Sequence, residues 1–374
     1  MLKTLALLLS LAPAPAALAQ TAPKAIKFDS LLWNVEPGAI VSGMSTDVLA
    51  LRGEVHLKDV AIGDGIVEVD IMPTSTIAFV GVVFRAESSD NFELVYARPF
   101  KSDAPDALQY TPRFNRVDAW QIYSGPGYNA AASFSKMEPA HLKVVFDGHT
   151  AAVFVNRSEK PSLIVPRLQR AYKAGSVGLW GAGDARFSNF TYQPLPRTQE
   201  PNAPAEAKVA NTPQCWAISQ NVEPASVAGD VIAAFPKLTW ENVRGLPNGL
   251  LEISRFRVHR GVSPDFRKTV DDAIVARTYV TSAAHQIKRL DLAYSDRVTL
   301  FINGKPVFRG NATLGSRDPS FLGTLALGFD AVYAELQPGR NEIMAALTEN
   351  NWGWGVQLRF ADGKDIELSD DCGK

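Results

Sequence analysis

The chain has 374 residues, of which 38 are Lys or Arg and 39 are Asp or Glu, so its formal net charge at pH 7 is −1. A charge so evenly balanced creates no long-range field toward nucleic acid or anionic lipid, which argues against both as partners. A chain of this length exceeds what one hydrophobic core ordinarily holds, so we expect two domains.

Residues 1–19 have the pattern of a secretory signal peptide. Lys3 supplies a positive charge, Leu5–Leu11 an apolar run, and Ala17 and Ala19 the small residues of a cleavage site. The apolar run is too short to span a bilayer, and no later stretch of the sequence approaches that length. The sequence therefore predicts a protein exported to the periplasm or the cell exterior by a Sec-type signal, without membrane insertion.

Short β-rich runs separated by turn residues fill residues 20–192, the first predicted domain. The Asp147-Gly148 pair between two of them is typical of a tight hairpin. Many short strands with few helical periods predict an antiparallel β-sandwich or jelly roll. The predicted strands are Ile66–Ile71, Ile77–Arg85, Phe92–Arg98, Ala119–Tyr123, Leu142–Phe146, Ala151–Val155, Ser176–Trp180 and Phe187–Tyr192.

Residues 193–214 are rich in Pro, Ala and polar residues and contain no aromatic ring, which predicts a semi-extended linker. Residues 215–374 form a second predicted β-sandwich, in which Asn303-Gly304 is a tight turn. The predicted fold class is therefore all-β, with two antiparallel β-sandwich (jelly-roll) domains. The predicted strands of the second domain are Leu250–Phe256, Ile274–Thr281, Ile287–Ala293, Val298–Ile302, Pro306–Phe308, Val332–Leu336, Glu342–Leu347 and Gly355–Phe360.

Cys215 and Cys372 are the only cysteines and lie near the two ends of the second predicted domain. In an oxidising compartment two such residues most simply form one disulfide. Closing a loop of this length stabilises a domain by about 5 kcal/mol on the chain-entropy model. Two unpaired thiols are the alternative, and two isolated cysteines are a weak basis for a metal site.

A cluster of planar polar and aromatic side chains in the first predicted domain indicates a carbohydrate site. Within Ala119–Tyr123, alternation places Trp120 and Ile122 on one side, which we assign to the core, and Gln121 and Tyr123 on an open face. Arg and Gln side chains would bind sugar hydroxyls, and Tyr rings would stack on the apolar face of a pyranose. The predicted ligand contacts are Arg85, Tyr96, Arg98, Gln109, Tyr110, Gln121 and Tyr123.

The alternative for this cluster is structural. In that case the arginines pair with Glu93, Asp90 or Asp106, and the tyrosines pack in the core. The cluster therefore predicts a binding surface without excluding a purely structural role.

Several runs in the same region carry a resemblance to a known family: FR at 84–85, YARP at 96–99, DALQYTP at 106–112, AWQIY at 119–123 and GLW at 178–180. They resemble a bacterial secreted family among the concanavalin-A-like lectin/glucanase sandwiches, near the LamG-like 3-keto-disaccharide hydrolase domains. The resemblance covers about residues 27–193. It implies carbohydrate bound on the concave sheet and an activity that ranges from none to glycoside cleavage.

If the protein is an enzyme, its candidate catalytic carboxylates are Glu68, Asp70, Glu93 and Asp106. Glu68 and Asp70 share one strand face, but Pro73 occupies the position of the third acid in the Glu-x-Asp-x-x-Glu pattern of the glucanases. A solvated strand face is the alternative for this pair. The sequence leaves open whether a bond is broken.

No cofactor is predicted. The histidines, His56, His141, His149, His259 and His285, lack the spacing of a zinc site. Structural calcium is left open, because a turn such as Ser88–Asn91 carries suitable oxygen ligands.

The second predicted domain has a resemblance of its own. The runs LFINGKPVF at 300–308, LQPGRNEI at 336–343 and WGWGVQLR at 352–359 are similar to the galactose-binding-like jelly rolls that accompany glycosidases. Trp352 and Trp354 share a strand face with Val356, which predicts core packing, with Trp352 at the strand mouth as the candidate exception. An accessory role, with a second weak sugar contact, is expected for this domain.

These patterns favour an exported carbohydrate-binding protein that holds a glycan on the concave sheet of its first domain. A glycoside hydrolase, of the 3-keto-disaccharide hydrolase or glucanase kind, is the first alternative. A protein-binding adhesin is the second, because two sandwiches on a linker also fit that role.

Overall fold

The structure is a computed structural model that describes residues 22–29, 31–135, 138–232, 235–263, 268–350, 352–369 and 372. The predicted signal peptide lies outside these ranges. Within them, no helix is long and apolar enough to cross a membrane.

Antiparallel strands dominate the first half of the chain. They are β1 (Lys24–Ala25), β2 (Trp33–Val35), β3 (Ile40–Met44), β4 (Val48–Leu57), β5 (Gly65–Pro73), β6 (Phe79–Ser88), β7 (Asn91–Ala97), β8 (Leu108–Phe114), β9 (Val117–Asp118), β10 (Asn129–Ala130), β11 (Ala140–Asp147), β12 (Thr150–Val155), β13 (Leu163–Val165) and β14 (Ser176–Pro194).

The second half continues in the same way. Its strands are β15 (Cys215–Ser219), β16 (Trp240–Arg244), β17 (Leu250–Glu252), β18 (Asp272–Ser282), β19 (Gln286–Ser295), β20 (Arg297–Ile302), β21 (Lys305–Asn311), β22 (Asp330–Leu336), β23 (Gly339–Glu349), β24 (Gly355–Phe360) and β25 (Ile366–Leu368). The helical elements of the described residues are short 3₁₀ turns at Pro99–Lys101, Pro224–Ser226, Phe235–Lys237 and Ile253–Arg255.

One sheet folds on itself to make the first sandwich, in the order β10-β8-β7-β6-β14-β5-β11-β12-β13. Strand β14 is 19 residues long and has register shifts against its neighbours. Its first part pairs with β6 and its last part with β5, so it joins the two layers. The predicted strands Ser176–Trp180 and Phe187–Tyr192 are therefore two parts of one bulged strand.

Alternation along the strands builds the core between these layers. Val67 and Val69 of β5 and Val82 of β6 are fully buried, as the period of two predicts. Phe84 of β6 stacks on Phe146 of β11 with ring centroids 4.7 Å apart, which shows that the two layers face each other. Each fully buried side chain of this kind contributes about 1.5–3 kcal/mol relative to exposure.

The second half packs a seven-stranded sheet, with the path β16-β15-β18-β23-β20-β21, against the four-stranded sheet β17-β24-β19-β22. Ile274 of β18 and Leu292 of β19 meet in its core, together with Trp354, which is fully buried. The prediction for Trp354 is confirmed, and Trp352 is only half-buried. All named strand pairs are antiparallel, so the predicted all-β, antiparallel fold class is confirmed.

Local predictions with a steric or chemical basis are confirmed. Asn303 and Gly304 have φ of 50° and 76°, and Ile302 pairs with Lys305 across the turn, as a two-residue hairpin requires. The hairpin predicted at Asp147-Gly148 also forms, but its two turn residues are Gly148 and His149, because Asp147 pairs with Thr150. Cys215 and Cys372 form a disulfide with Cα atoms 4.8 Å apart.

Other predicted elements are wrong. Residues 119–123 form turns and no strand, because the segment leaves the sheet to pack on the second half of the chain. Leu250–Phe256 is strand only as far as Glu252 and then becomes a 3₁₀ turn. Strands β4 and β8 were not predicted, although their sequences alternate. In β4, Leu49, Leu51 and Val55 lie on the buried face, and the polar side chains lie on the other face.

The predicted linker has no strand from residue 195 to 214. Near its start, the amide of Thr198 donates to Asp147 Oδ1 at 3.0 Å, and near its end the amide of Val209 donates to the Pro247 carbonyl at 2.8 Å. The segment therefore lies against both halves of the chain. The boundaries at 192 and 215 stay a prediction.

Asp272 is almost fully buried and gives this fold a pH dependence. Burial alone would raise the pKa of its carboxyl, but hydrogen bonds from Arg260, Asn221 and the Ala273 amide outweigh it and hold the pKa below its ordinary value. A depressed pKa contributes stability above the unfolded-state value of about 4, and this stability is lost as the pH falls through the folded-state pKa.

Replacement of Asp272 by Asn is therefore expected to lower the free energy of unfolding by about 1–3 kcal/mol at pH 7. The difference from the parent protein should shrink as the pH falls below about 4. Urea unfolding across this pH range measures it, and a difference that does not change with pH would contradict the assignment.

Candidate functional site

The seven predicted ligand contacts are all buried and fall into separate environments. Their exposed fractions lie between 0% and 4%, and their side chains are bonded to or packed against protein groups. The side chains of Tyr96, Arg98 and Gln109 lie together, and Gln109 Nε2 also donates to the backbone carbonyls of Tyr110 and Tyr123, at 2.6 and 2.7 Å. The residues are Arg85, Tyr96, Arg98, Gln109, Tyr110, Gln121 and Tyr123.

Arg98 lies at the centre of the group of three. Its Nη2 donates to the Tyr96 hydroxyl at 2.8 Å and to Gln109 Oε1 at 3.4 Å, and its Nη1 donates to the Asp106 carbonyl at 2.6 Å. The Asp106 carboxylate lies 3.6 Å from Arg98 Nη1 and 2.6 Å from Lys101 Nζ. The pairing of Arg98 with Asp106 is the structural alternative named above, so Asp106 is neutralised by two cations.

The side chains of Arg85 and Tyr110 lie away from this group. Arg85 Nη2 donates to Asp64 Oδ1 at 3.0 Å at another edge of the sandwich. The Tyr110 hydroxyl donates to Glu93 Oε2 at 2.8 Å inside the core, where burial raises the pKa of Glu93 despite the hydrogen bond from Tyr110. Glu93 is 1% exposed, and its carboxylate accepts from Tyr110 and the Arg170 amide, so a catalytic role for it stays a prediction.

Gln121 and Tyr123 face the second half of the chain, so the open face assigned to them is wrong. The Gln121 backbone N–H donates to the Trp352 carbonyl at 3.0 Å, and its side-chain Nε2 donates to the Leu322 carbonyl at 3.0 Å. The reason is the turn at 119–123, which buries these polar side chains in an interface. The same turn leaves Trp120, which we assigned to the core, only half-buried.

Tyr123 takes part in a buried network with two residues of the second half. Its hydroxyl donates to Glu252 Oε2 at 2.6 Å and accepts from Arg255 Nη2 at 2.9 Å. Arg255 Nε also donates to Glu252 Oε2 at 2.6 Å. Burial, and then the Glu252 charge, raise the pKa of Tyr123 well above its ordinary value, so the hydroxyl stays protonated as a donor.

Glu68 and Asp70 do share one face of β5, as predicted, and a histidine lies between them. His141 Nε2 is 2.9 Å from Glu68 Oε2, and His141 Nδ1 is 2.6 Å from Asp70 Oδ1. Asp70 also accepts from Asn189 Nδ2 at 2.7 Å. The position of His141 beside this pair was not predicted, because it depends on the pairing of β11 with β5. The cluster is partly exposed, and a catalytic role for it stays a prediction.

The outer face of the other layer carries a feature that the sequence analysis missed. In one row across strands β14, β6 and β7, Trp180 pairs with Gly81 and Gly81 with Tyr96. Since Gly81 has no side chain, the rings of Trp180 and Tyr96 pack over it with their centroids 5.3 Å apart. A Cβ atom on Gly81 would lie 2.6 Å from the Tyr96 Cβ, so the close pair of rings requires glycine there.

Further rings extend this row and surround Arg98. Phe79 lies 6.0 Å from Tyr96, and the Arg98 guanidinium lies 5.4 Å from the ring of Trp120. Trp120 in turn lies 5.9 Å from Trp352 of the second half. We call the half-buried members of this set the aromatic face, and they are Phe79, Phe100, Trp120, Trp180 and Trp352.

A carboxylate lies at the end of the same row. Glu54 pairs with Trp180 and accepts a hydrogen bond from Arg113 Nη1 at 2.6 Å and one from His56. Arg113 also holds Asp118 through two bonds of 2.7 and 2.8 Å. Burial lowers the pKa of Arg113, but the Asp118 and Glu54 charges outweigh it and raise the pKa above its ordinary value. Both carboxylates are thus held by a permanent cation.

This arrangement suits binding better than acid–base chemistry. The half-buried rings leave part of their apolar surface accessible to a ligand, while the neighbouring carboxylates are already paired. The alternation of Phe79, Gly81 and Val83 could have indicated one shared face, but the pairing of Gly81 with Trp180 joins positions that are far apart in sequence.

Among the described residues, no group of three or more His, Cys, Asp or Glu side chains could hold a metal ion. In the turn Ser88–Asn91, the Asp90 amide donates to Ser88 Oγ at 3.2 Å, and the Asp90 carboxylate lies 3.7 Å from Arg116. Calcium binding at this turn stays a prediction.

No protein-family profile matches the chain. No curated protein sequence matches it either. The LamG-like and galactose-binding-like resemblances therefore stay predictions.

Solved structures similar to part of the chain have names that refer to lectins and carbohydrate-binding modules. The carbohydrate-binding module CBM66 of Bacillus subtilis is 14% identical over 46% of this chain and 96% of its own, with a TM-score of 0.30. A Bacillus subtilis protein with a galectin-like fold is 13% identical over 48% and 97%, with a TM-score of 0.34. The exoplasmic/lumenal domain of VIP36, bound to Ca²⁺ and Man3GlcNAc, is 13% identical over 47% and 90%, with a TM-score of 0.35. At these identities and TM-scores, the likenesses carry no activity over to this chain.

Proposed function

We propose that this protein is an exported carbohydrate-binding protein that holds a glycan against its aromatic face. The observation that carries this proposal is the row of half-buried rings around Arg98, on the outer side of the sheet formed by β14, β6 and β7. The disulfide between Cys215 and Cys372 supports an oxidising compartment and hence export.

Sugar rings fit such a surface because a pyranose presents an apolar C–H face to an aromatic ring. Trp180 and Phe79 pack on either side of the buried Tyr96 ring, with centroids 5.3 and 6.0 Å from it, and so offer two apolar surfaces along one row. Tyr96, Arg98 and Gln109, which the sequence analysis chose as contacts, lie beneath the face. In this proposal they position the rings.

Both halves of the chain contribute to the proposed site. Trp120 comes from the first half and Trp352 from the second, and the Gln121 amide bonded to the Trp352 carbonyl fixes their relative position. This contact assigns the second half a part in binding that is more direct than the accessory role expected from the sequence.

Glycoside cleavage is the second candidate, and it is favoured by the position of Glu54 beside Trp180. A retaining or inverting mechanism needs two carboxylates, one of them able to carry a proton. Glu54 and Asp118 are both ion-paired with Arg113, so neither carboxylate is left unpaired for a substrate. Binding without cleavage therefore fits the geometry better.

The test is retention of glycans by the chain from Gln20 onward, without the predicted signal peptide, on an array of oligosaccharides and polysaccharides, with mass spectrometry of the eluted material. For a retained glycan, Trp180→Ala is expected to raise Kd at least about tenfold, which corresponds to about 1.4 kcal/mol. Phe79→Ala should act in the same direction. Tyr333→Ala is the matched control, because this ring is 75% exposed on β22, and it should leave Kd unchanged.

Each of the other outcomes is informative. Equal retention by Trp180→Ala, with an unchanged melting temperature, would show that the aromatic face is not the site. Shortened products would support the hydrolase and direct attention to Glu54, Asp118, Glu68 and Asp70. Failure to retain any glycan would overturn the proposal and favour the adhesin.

A further inference from the structure

A groove of about 560 Å³ lies on the outer face of the seven-stranded sheet, away from the aromatic face. It forms where two strands follow one another along the same edge of β18. Strand β15 pairs with β18 at Ala276 and Arg277, and β25 pairs with it at residues 280–282, while β23 occupies the opposite edge throughout. The Cys215–Cys372 disulfide lines the gap between β15 and β25.

Two arginines line this groove, and both are stacked on aromatic rings. The Arg277 guanidinium lies 3.9 Å from the Trp240 ring, and the Arg340 guanidinium lies 3.6 Å from the Tyr279 ring. Stacking fixes the plane of a guanidinium but leaves its N–H donors free to bind a ligand. Arg340 and Tyr279 lie on the same face of neighbouring strands, because Thr281 pairs with Arg340.

Within the part of the chain that the structure describes, neither guanidinium has a hydrogen-bond acceptor. Arg277 Nε is buried and has no hydrogen-bond partner. Among the described residues, no carboxylate lies within ion-pair distance of Arg277 or Arg340, and Glu367 is the only carboxylate residue that lines the groove. A buried donor without a partner is rare in a folded protein, so Arg277 points to an acceptor supplied by a ligand.

Ala217 forms the floor of the groove, and polar side chains form its rim. Ala217 pairs with Asn242 on one side and with Arg277 on the other, so a small side chain lies between two long ones. Asn242 and Thr281 are exposed at the rim, and their side chains form no hydrogen bond with the described residues. The groove therefore places two guanidiniums beside neutral donors and acceptors within a small volume.

We propose that this groove binds a uronic acid residue of an acidic glycan. The carboxylate would accept paired hydrogen bonds from Arg277 and Arg340, since a planar guanidinium matches a carboxylate in two-bond geometry. The hydroxyl groups next to the carboxylate on the sugar ring would bind Asn242 and Thr281. The volume lies within the range of ordinary small-ligand sites. This site is separate from the aromatic face and does not depend on the proposed function.

Calorimetric titration of the mature full-length protein with a short oligogalacturonate tests the proposal, with the matching neutral galacto-oligosaccharide as the comparison. The acidic oligomer is expected to bind, and its affinity should fall as salt is added. Arg277→Ala should weaken binding at least about tenfold. Arg277→Lys should also weaken it, because lysine keeps the charge but cannot donate two parallel hydrogen bonds to one carboxylate.

The controls separate this site from the rest of the molecule. Arg309→Ala changes an arginine that is exposed on β21 and pairs with Asp230, so it should bind like the parent. Tyr333→Ala, which changes an exposed ring on β22 outside both proposed sites, should also bind the oligogalacturonate like the parent. If Arg277→Ala melts early, the exposed Arg340→Ala variant gives the decisive measurement.

Three results would overturn the proposal. The first is no binding of the oligogalacturonate. The second is unchanged binding by Arg277→Ala and Arg340→Ala. The third is equal or tighter binding of the neutral oligomer or of an acidic peptide, since either would show that the groove does not select a uronate.

Discussion

Replacement of Glu252 by Ala is expected to lower the free energy of unfolding by about 3–5 kcal/mol, because it removes one member of a buried charged network and leaves the other unpaired. The Glu252 side chain is fully buried, and it accepts hydrogen bonds from Tyr123 and Arg255. Urea unfolding at neutral pH measures the change.

The control for this variant is Glu241→Ala. Glu241 pairs with Arg257, but its side chain is 56% exposed, so this substitution should cost about 1 kcal/mol or less. Equal effects of the two variants would show that the buried network around Glu252 contributes no more to the free energy of unfolding than an exposed ion pair. Because the network includes Tyr123, close to Trp120, Glu252→Ala should also weaken glycan binding at the aromatic face.

Loss of the disulfide is expected to have an effect of similar size. In a Cys215→Ser, Cys372→Ser double variant the crosslink across 157 residues is absent, which on the chain-entropy model removes about 5 kcal/mol of stability. The parent protein in reducing agent should unfold at the same urea concentration as the variant, and reducing agent should not affect the variant.

A second readout of the same variant concerns the groove between β15 and β25. Since the disulfide lines the gap between these strands, its removal should weaken binding of the acidic oligomer while leaving the aromatic face intact. A stability loss below about 1 kcal/mol would indicate that the strands hold together without the crosslink.

The interface between the two halves changes how the chain is understood. From sequence, two sandwiches on a linker imply domains that act separately. In the structure, the segment 119–123 bonds to residues of the second half, including Trp352 and Glu252. The proposed glycan site is therefore shared by both halves.

The arrangement of side chains at the sites was harder to predict than the fold. Alternation places Val82 and Gly81 on opposite faces of one strand, but no pattern places Trp180 opposite Gly81 or His141 between Glu68 and Asp70. These proximities come from strand pairs that are distant in sequence, and register across such pairs is set by the packing of the whole sandwich.

The sequence by itself determined what is local or chemical in this protein. Alternating strands, Gly-containing turns and two cysteines in an oxidising setting specified an all-β antiparallel fold and one disulfide, because each depends on neighbouring residues or on a single possible partner. Tertiary structure decided which faces are covered. Alternation shows that Gln121 and Tyr123 share a side, but only the second half of the chain, packed against them, makes that side an interface and leaves Trp120 half-exposed.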